Sequence, residues 1–155
     1  MVEPKNRCAN LFSAAAWRQV ISTKSGRLNM HKSRLGALVV DCQSEDIFGH
    51  AEFWGAALGS EPESQEGQIN QRYVRLDGLP SEAQVILQKV DHPSRVHFDI
   101  ETDNIEAEVN RLQSLGAEVV ERMEKWVVME APSKHRFCVI GPIRSDFEEK
   151  ANVWE

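Results

Sequence analysis

The stretch RVHFDIETDNIEAEVNRLQSLGAEVVER, residues 95–122, decides the fold. Its opening alternates, with Val96, Phe98 and Ile100 on one side and His97, Asp99 and Glu101 on the other, which is the period of a strand. Asp103 and Glu106 then form a capping-box-like pair. Ile105, Val109, Leu112 and Leu115 recur at helical spacing, and Gly116 stops the helix. Extended character resumes at 118–122 and returns at 126–130 and 136–140, the last two separated by a turn at 132–135. The unit reads strand, helix, three strands.

The same order is written upstream. LGALVVDC (35–42) is an apolar, β-branched run, Ser44 offers an N-cap, and Ile47, Ala51, Trp54 and Leu58 share one helical face closed by Gly59. Residues 60–71 are polar and turn-rich, with at most a short edge strand, and 72–77 and 83–90 read as strands. Leu58-Gly59 and Leu115-Gly116 lie 57 residues apart, as do Asp46 and Asp103. Equal spacing of equivalent signals is the mark of an internal duplication. One helix per unit covers one face of a half-sheet, so the other faces shelter each other or enclose something. The expected fold is α+β: two βαβββ modules at about 34–91 and 94–141 forming a cupped mixed sheet with helices outside. A tail at 142–155 follows, with 145–154 read as a short helix or packed segment.

A chain of 155 residues suits one domain. The net charge of −6 argues against nucleic acid as a partner, since phosphate binding needs concentrated Lys and Arg. Residues 1–34 are nonetheless net +6 and the remainder −12. Residues 1–33 therefore read as a basic, poorly ordered arm, with an amphipathic helix through Ala14, Trp17 and Ile21 as the alternative. No run reaches the ~20 apolar residues of a membrane span, so no membrane contact is expected. Cys8, Cys42 and Cys138 are odd in number and far apart, which points to a reducing, cytoplasmic setting.

Particular residues carry a family likeness. Phe53-Trp54 precedes Ala57-Leu58-Gly59; Val96-His97-Phe98-Asp99 precedes Asp103, Ala107, Leu112 and Leu115-Gly116-Ala117. Trp126-Val127-Val128-Met129 and Phe137-Cys138-Val139 end the second unit, and Asp146-Phe147, Ala151-Asn152 and Trp154 mark the tail. Residues 34–155 thereby resemble the vicinal oxygen chelate superfamily of glyoxalase I, bleomycin-resistance proteins and extradiol dioxygenases, and within it a glyoxalase-like subgroup of unassigned function. The resemblance implies metal ligands from the first and last strands of each module, pointing into the cup. Here the first strand supplies Ala37 or Val39, neither of which ligates, and the module's last strand offers Gln88, a feeble ligand. His97 matches the second-module ligand, and Cys138 stands where the family has Glu. With the set so depleted, a divalent metal is disfavoured and His97 is expected as a hydrogen-bonded cup residue.

Several roles follow for the cup side chains. His97 is the candidate general base, with Asp99 orienting it through a neighbour or a water. Arg75 and Arg136 are candidate ligand contacts, Trp126 an aromatic wall, and Cys138 either a nucleophile activated by a neighbouring cation or an inert thiol. The expected function is binding of a small, aromatic or amphipathic molecule in the cup, without catalysis; the alternative is a metal-dependent or His97-based lyase or isomerase. A homodimer is expected, because such modules pair within or between chains.

Overall fold

The computed structural model describes residues 30–63, 72–77 and 84–155; the expectations for the arm at 1–29 lie outside them. The first module is β1 (His31–Cys42), α1 (Ile47–Leu58), β2 (Glu61–Pro62), β3 (Tyr73–Asp77) and β4 (Gln84–Lys89). The second is β5 (Arg95–Thr102), α2 (Ile105–Ser114), β6 (Glu118–Arg122), β7 (Trp126–Glu130) and β8 (Arg136–Ile140), followed by α3 (Phe147–Lys150) and β9 (Asn152–Trp154). All nine strands belong to one mixed sheet in the order β2-β3-β4-β1-β5-β8-β7-β6, with β9 added beside β1. The two modules meet through the antiparallel pair β1–β5, and each first strand runs parallel to its module's last, β1 with β4 and β5 with β8. The duplication read from the spacing is thus a repeat in space.

Alternation along the strands sorts side chains between two faces. One parity packs beneath the helices: Cys42, Val74, Leu76 and Leu87 against Ile47 and Ala51 of α1, and Val127, Met129, Phe137 and Val139 against Val109 and Leu112 of α2. Burial of each large apolar side chain stabilises the fold by about 1.5–3 kcal/mol. The other parity, including Ala37, Val39, Asp41, His97 and Asp99, lines the open face. A register shift between Leu35 and Ala37 sets that parity. Gly36 is the extra residue, and a Cβ there would come within 3.2 Å of Cβ and Cγ of Glu101. The shift turns Arg34, Ala37, Val39 and Asp41 all toward the open face, which unbroken alternation would not.

Some local expectations are corrected. β1 begins at His31 rather than Leu35, so 31–33 belong to the domain and not to the arm, held by pairing of His31 with Trp154 and Ser33 with Asn152. The caps are Asp46 and Asn104, whose side chains accept from the Gly49 and Ala107 amides. Ser44 instead accepts from the amide of Asp46, and Asp103 from that of Lys32. Val96 and Phe98 lie on the helix side as read, but they are 60% and 50% exposed because neither helix covers them. The tail is a helical turn followed by a strand. Among the described residues no helix is long and apolar enough to cross a membrane.

Candidate functional site

The β1–β5 register sets His97 directly across from Val39 and Arg95 across from Asp41. Asp41 is 1% exposed, and one of its oxygens, Oδ2, lies 3.0 Å from His97 Nδ1 and accepts from Arg95 Nε at 3.0 Å. His92 Nε2 stands 3.7 Å from the same oxygen. Asp41, on the neighbouring strand, holds the ring at Nδ1, a contact the sequence reading did not foresee.

Burial works to lower the pKa of His97, but the Asp41 hydrogen bond, the nearby Asp99 and Cys138 and the Asp41 charge overcome it, and the pKa is pushed up to about 11. Asp41 moves the other way: burial would raise it, and the bonds from His97 and Arg95 hold it below the usual carboxylate range. Without a metal, this environment favours the protonated form of the ring, in which Nε2 is a donor.

The second ring nitrogen faces a different group. Nε2 lies 3.5 Å from Oδ1 of Asp99, and Asp99 pairs in register with Cys138 on β8. Ligand atoms of His97, Asp99 and Cys138 all lie within 4.8 Å of one another. Asp99 Oδ1 is buried with no hydrogen-bond partner among the described residues, and Cys138 is a free thiol. A nitrogen, an oxygen and a sulfur donor form a three-ligand set of the kind that suits zinc and leaves a fourth position open. A carboxylate on the distal nitrogen, as Asp41 supplies here, is the usual device for orienting a metal-bound imidazole. The residues fit a metal better than the sequence implied, because Asp99 joins the cluster as a donor.

The remaining predicted residues are spread out. Gln88 pairs with Asp41 from the β4 side, away from the three donors, and Ala37 and Val39 lie on the cup floor as non-ligands. Trp126, half-buried, lies opposite Ile140 on the cup side of β7. Arg136 is exposed, opposite Glu130. Arg75, from β3, lines a polar cavity of about 380 Å³ with Gln84 and residues 143–146. That last segment is strapped over one end of the cup. Glu101, fully buried, accepts from the amides of Ile143 and Arg144 at 2.7 and 3.1 Å, and Arg34 bridges Glu101 and Asp146 at 2.6 and 2.5 Å.

A larger apolar cavity of about 530 Å³ lies on the helix side, lined by Phe98, Leu112, Leu115 and Trp154. Its polar members are already bonded to one another: Glu108 holds Ser33 and Arg111. No unpartnered donor or acceptor converges there among the described residues, so the open face is the candidate site.

The family model for the glyoxalase-like domain matches residues 37–140, more than half of the chain. The chain belongs to the glyoxalase-like family. This glyoxalase-like protein is thereby a member of the vicinal oxygen chelate superfamily. No curated protein sequence matches it. Among solved structures it is similar to methylmalonyl-CoA epimerase from Mycobacterium tuberculosis, at 16% identity and TM-score 0.48 over 71% of this chain and 88% of that one. It is also similar to homoprotocatechuate 2,3-dioxygenase from Arthrobacter globiformis, at 15% identity and TM-score 0.48 over 72% of this chain but 36% of that one. A hypothetical protein from Bacillus halodurans matches at 12% identity and TM-score 0.48, over 73% of this chain and 96% of that one. At such identities no activity carries across from these neighbours.

Sequence reasoning missed Asp41, Gln84 and the Arg34–Glu101–Asp146 strap. Asp41 was signalled by parity, two and four residues beyond Val39 and Ala37 on the strand already assigned to the cup. Gln84 follows the same rule on β4, two and four residues before Ile86 and Gln88.

Proposed function

We propose that this glyoxalase-like protein binds a small amphipathic molecule in its cup, and that His97, Asp99 and Cys138 hold a divalent metal of zinc type against that molecule's polar end. The observation that carries this reading is the convergence of the three donors within 4.8 Å, with the far side of the imidazole tied to Asp41. When bound, such a metal supplies a Lewis acid that polarises an oxygen of its ligand. The chain's own residues do the rest. Asp41 fixes the tilt of the His97 ring, Ala37, Val39 and Ile86 give an apolar floor, and Trp126 borders it on the second-module side.

One observation favours a second, metal-free reading. With its pKa near 11, His97 offers a charged N–H donor to an anionic group. The same surroundings, which favour the protonated ring, weigh against His97 as a base. Lyase or isomerase chemistry would need another base.

Metal content decides between the two readings. After dialysis against Zn²⁺ and removal of excess, mass spectrometry should find one equivalent per chain, absent in His97→Ala and reduced in Cys138→Ser. A wild-type protein that retains no Zn²⁺, Ni²⁺, Mn²⁺ or Fe²⁺ would overturn the metal reading and leave the charged-donor one.

A further inference from the structure

The polar cavity at the other end of the cup holds two buried polar atoms with no hydrogen-bond partner among the described residues. Arg75 lies on the cup face of β3, since Val74 and Leu76 on either side of it pack under α1. Its Nε is buried and lacks a hydrogen-bond partner among the described residues, and its guanidinium makes no ion pair among them. Gln84 Oε1 is buried and unpartnered in the same cavity. A buried donor on a cation and a buried acceptor left unmade each cost free energy that a bound ligand would recover. The strap at 143–146 walls the cavity, and its own acid, Asp146, is engaged by Arg34 and Lys150.

The sheet fixes where this cavity lies relative to the donor cluster. Gln84 pairs with Ala37, and Ala37 with Asp99, so the two ends share one row across the cup. Two strand spacings put them about 10 Å apart. Between them the floor is aliphatic, with Ala37, Val39 and Ile86.

We infer that the Arg75–Gln84 cavity is a carboxylate subsite, and that the ligand of this protein is an amphipathic acid lying across the floor with its carboxylate on Arg75. Arg75 donates to the carboxylate, and Gln84 Oε1 accepts from a hydroxyl or N–H beside it. The inference rests on the cup being the binding site but does not require the metal.

The test uses the full-length, metal-free protein and 3-phenylpropanoate as probe, followed through the arginine Nε–H signals by NMR, with Arg75→Lys assigning its own cross-peak. Saturable movement of the Arg75 signal is expected. The neutral 3-phenylpropanamide should bind at least about tenfold more weakly, as expected for a lost charge-assisted bond. Arg75→Met should erase that preference while retaining the wild-type melting curve, and Gln84→Leu and His97→Ala should leave it intact, since 3-phenylpropanoate carries no hydroxyl or N–H for Gln84 Oε1 to accept. Equal binding of acid and amide, binding that survives Arg75→Met, no binding at all, or equal displacement by inorganic phosphate would each overturn it. If His97→Ala alone abolishes carboxylate binding, the anion sits at the donor cluster, so this inference fails while the cup reading stands.

Discussion

Asp41 Oδ2 lies 3.0 Å from His97 Nδ1 across the β1–β5 junction, so the two modules meet through a buried carboxylate–imidazole pair. This contact commits one nitrogen of the ring to the fold and presents the other to Asp99 and Cys138. The replacement Asp41→Asn keeps the shape but loses the charge and the strong acceptor. Zinc affinity should fall about 10–100-fold, as for removal of other groups that orient a metal-bound histidine. Isothermal titration reads it directly. An unchanged affinity would mean that Asp41 serves stability alone.

The junction's geometry depends in turn on Gly36. A methyl group there meets Cβ and Cγ of Glu101 at 3.2 Å and the carbonyl oxygen of Asp99 at 3.4 Å. Glu101 is fully buried and holds both Arg34 and the strap amides, so it has little room to yield. Gly36→Ala should cost about 1–3 kcal/mol, as for overpacking of a close-packed interior. Urea denaturation measures this, and a midpoint equal to wild type would show that the bulge tolerates a side chain.

How far the sequence reaches is visible in these same residues. Parity along 95–101 was enough to put His97, Asp99 and Glu101 on the cup face, because alternation is a local property. The Leu-Gly helix endings 57 residues apart were enough to show the duplication. The Asp41–His97 contact was out of reach, since it depends on the register between strands far apart in sequence, and a single inserted residue at Gly36 resets that register. The strap escaped for a similar reason: Arg34, Glu101 and Asp146 come from three separate segments. The caps differed because Ser44 and Asp103 bond elsewhere, and short side chains near a helix start compete for several amides. The ligand set looked depleted because the comparison ran position by position with a four-strand pattern. The structure instead brings together two possible donors from one strand, His97 and Asp99, with Cys138 on the next.

A second buried carboxylate ties β1 to α2 and sets the response to acid. Glu108 is 0% exposed and binds Arg111 through two bonds at 2.7 Å, Ser33 at 2.9 Å and His31 at 2.8 Å. Burial would raise its pKa, but Arg111, His31 and Ser33 hold it below the ordinary glutamate value of 4.5. A depressed folded-state pKa means that the unfolded chain binds the extra proton first. The stabilisation is therefore complete above pH 4.5 and is lost as pH falls through the lower folded value. Glu108→Gln should cost about 3 kcal/mol at neutral pH, because it leaves Arg111 facing a neutral group in a buried site. It should also flatten the acid limb of the stability–pH curve. An acid limb as steep as that of wild type would assign the loss to other carboxylates.

The thiols supply a direct reading of the cluster. Cys42 is buried, and burial pushes its thiol pKa up, with the Asp41 charge adding to the effect. It should therefore react slowly with alkylating agents. Cys138 is half-buried on the cup face beside His97 and Asp99, within reach of solvent through the open side. In metal-free protein, iodoacetamide followed by peptide mapping should label Cys138 well ahead of Cys42. Zinc should then protect Cys138 alone, because a metal-bound thiolate is shielded while Cys42 lies outside the donor cluster. In His97→Ala the protection should vanish even though Cys138 is untouched, since losing one of three donors weakens the site as a whole. Protection that persists in His97→Ala would mean that zinc meets Cys138 without the histidine, and the three-donor site would have to be redrawn.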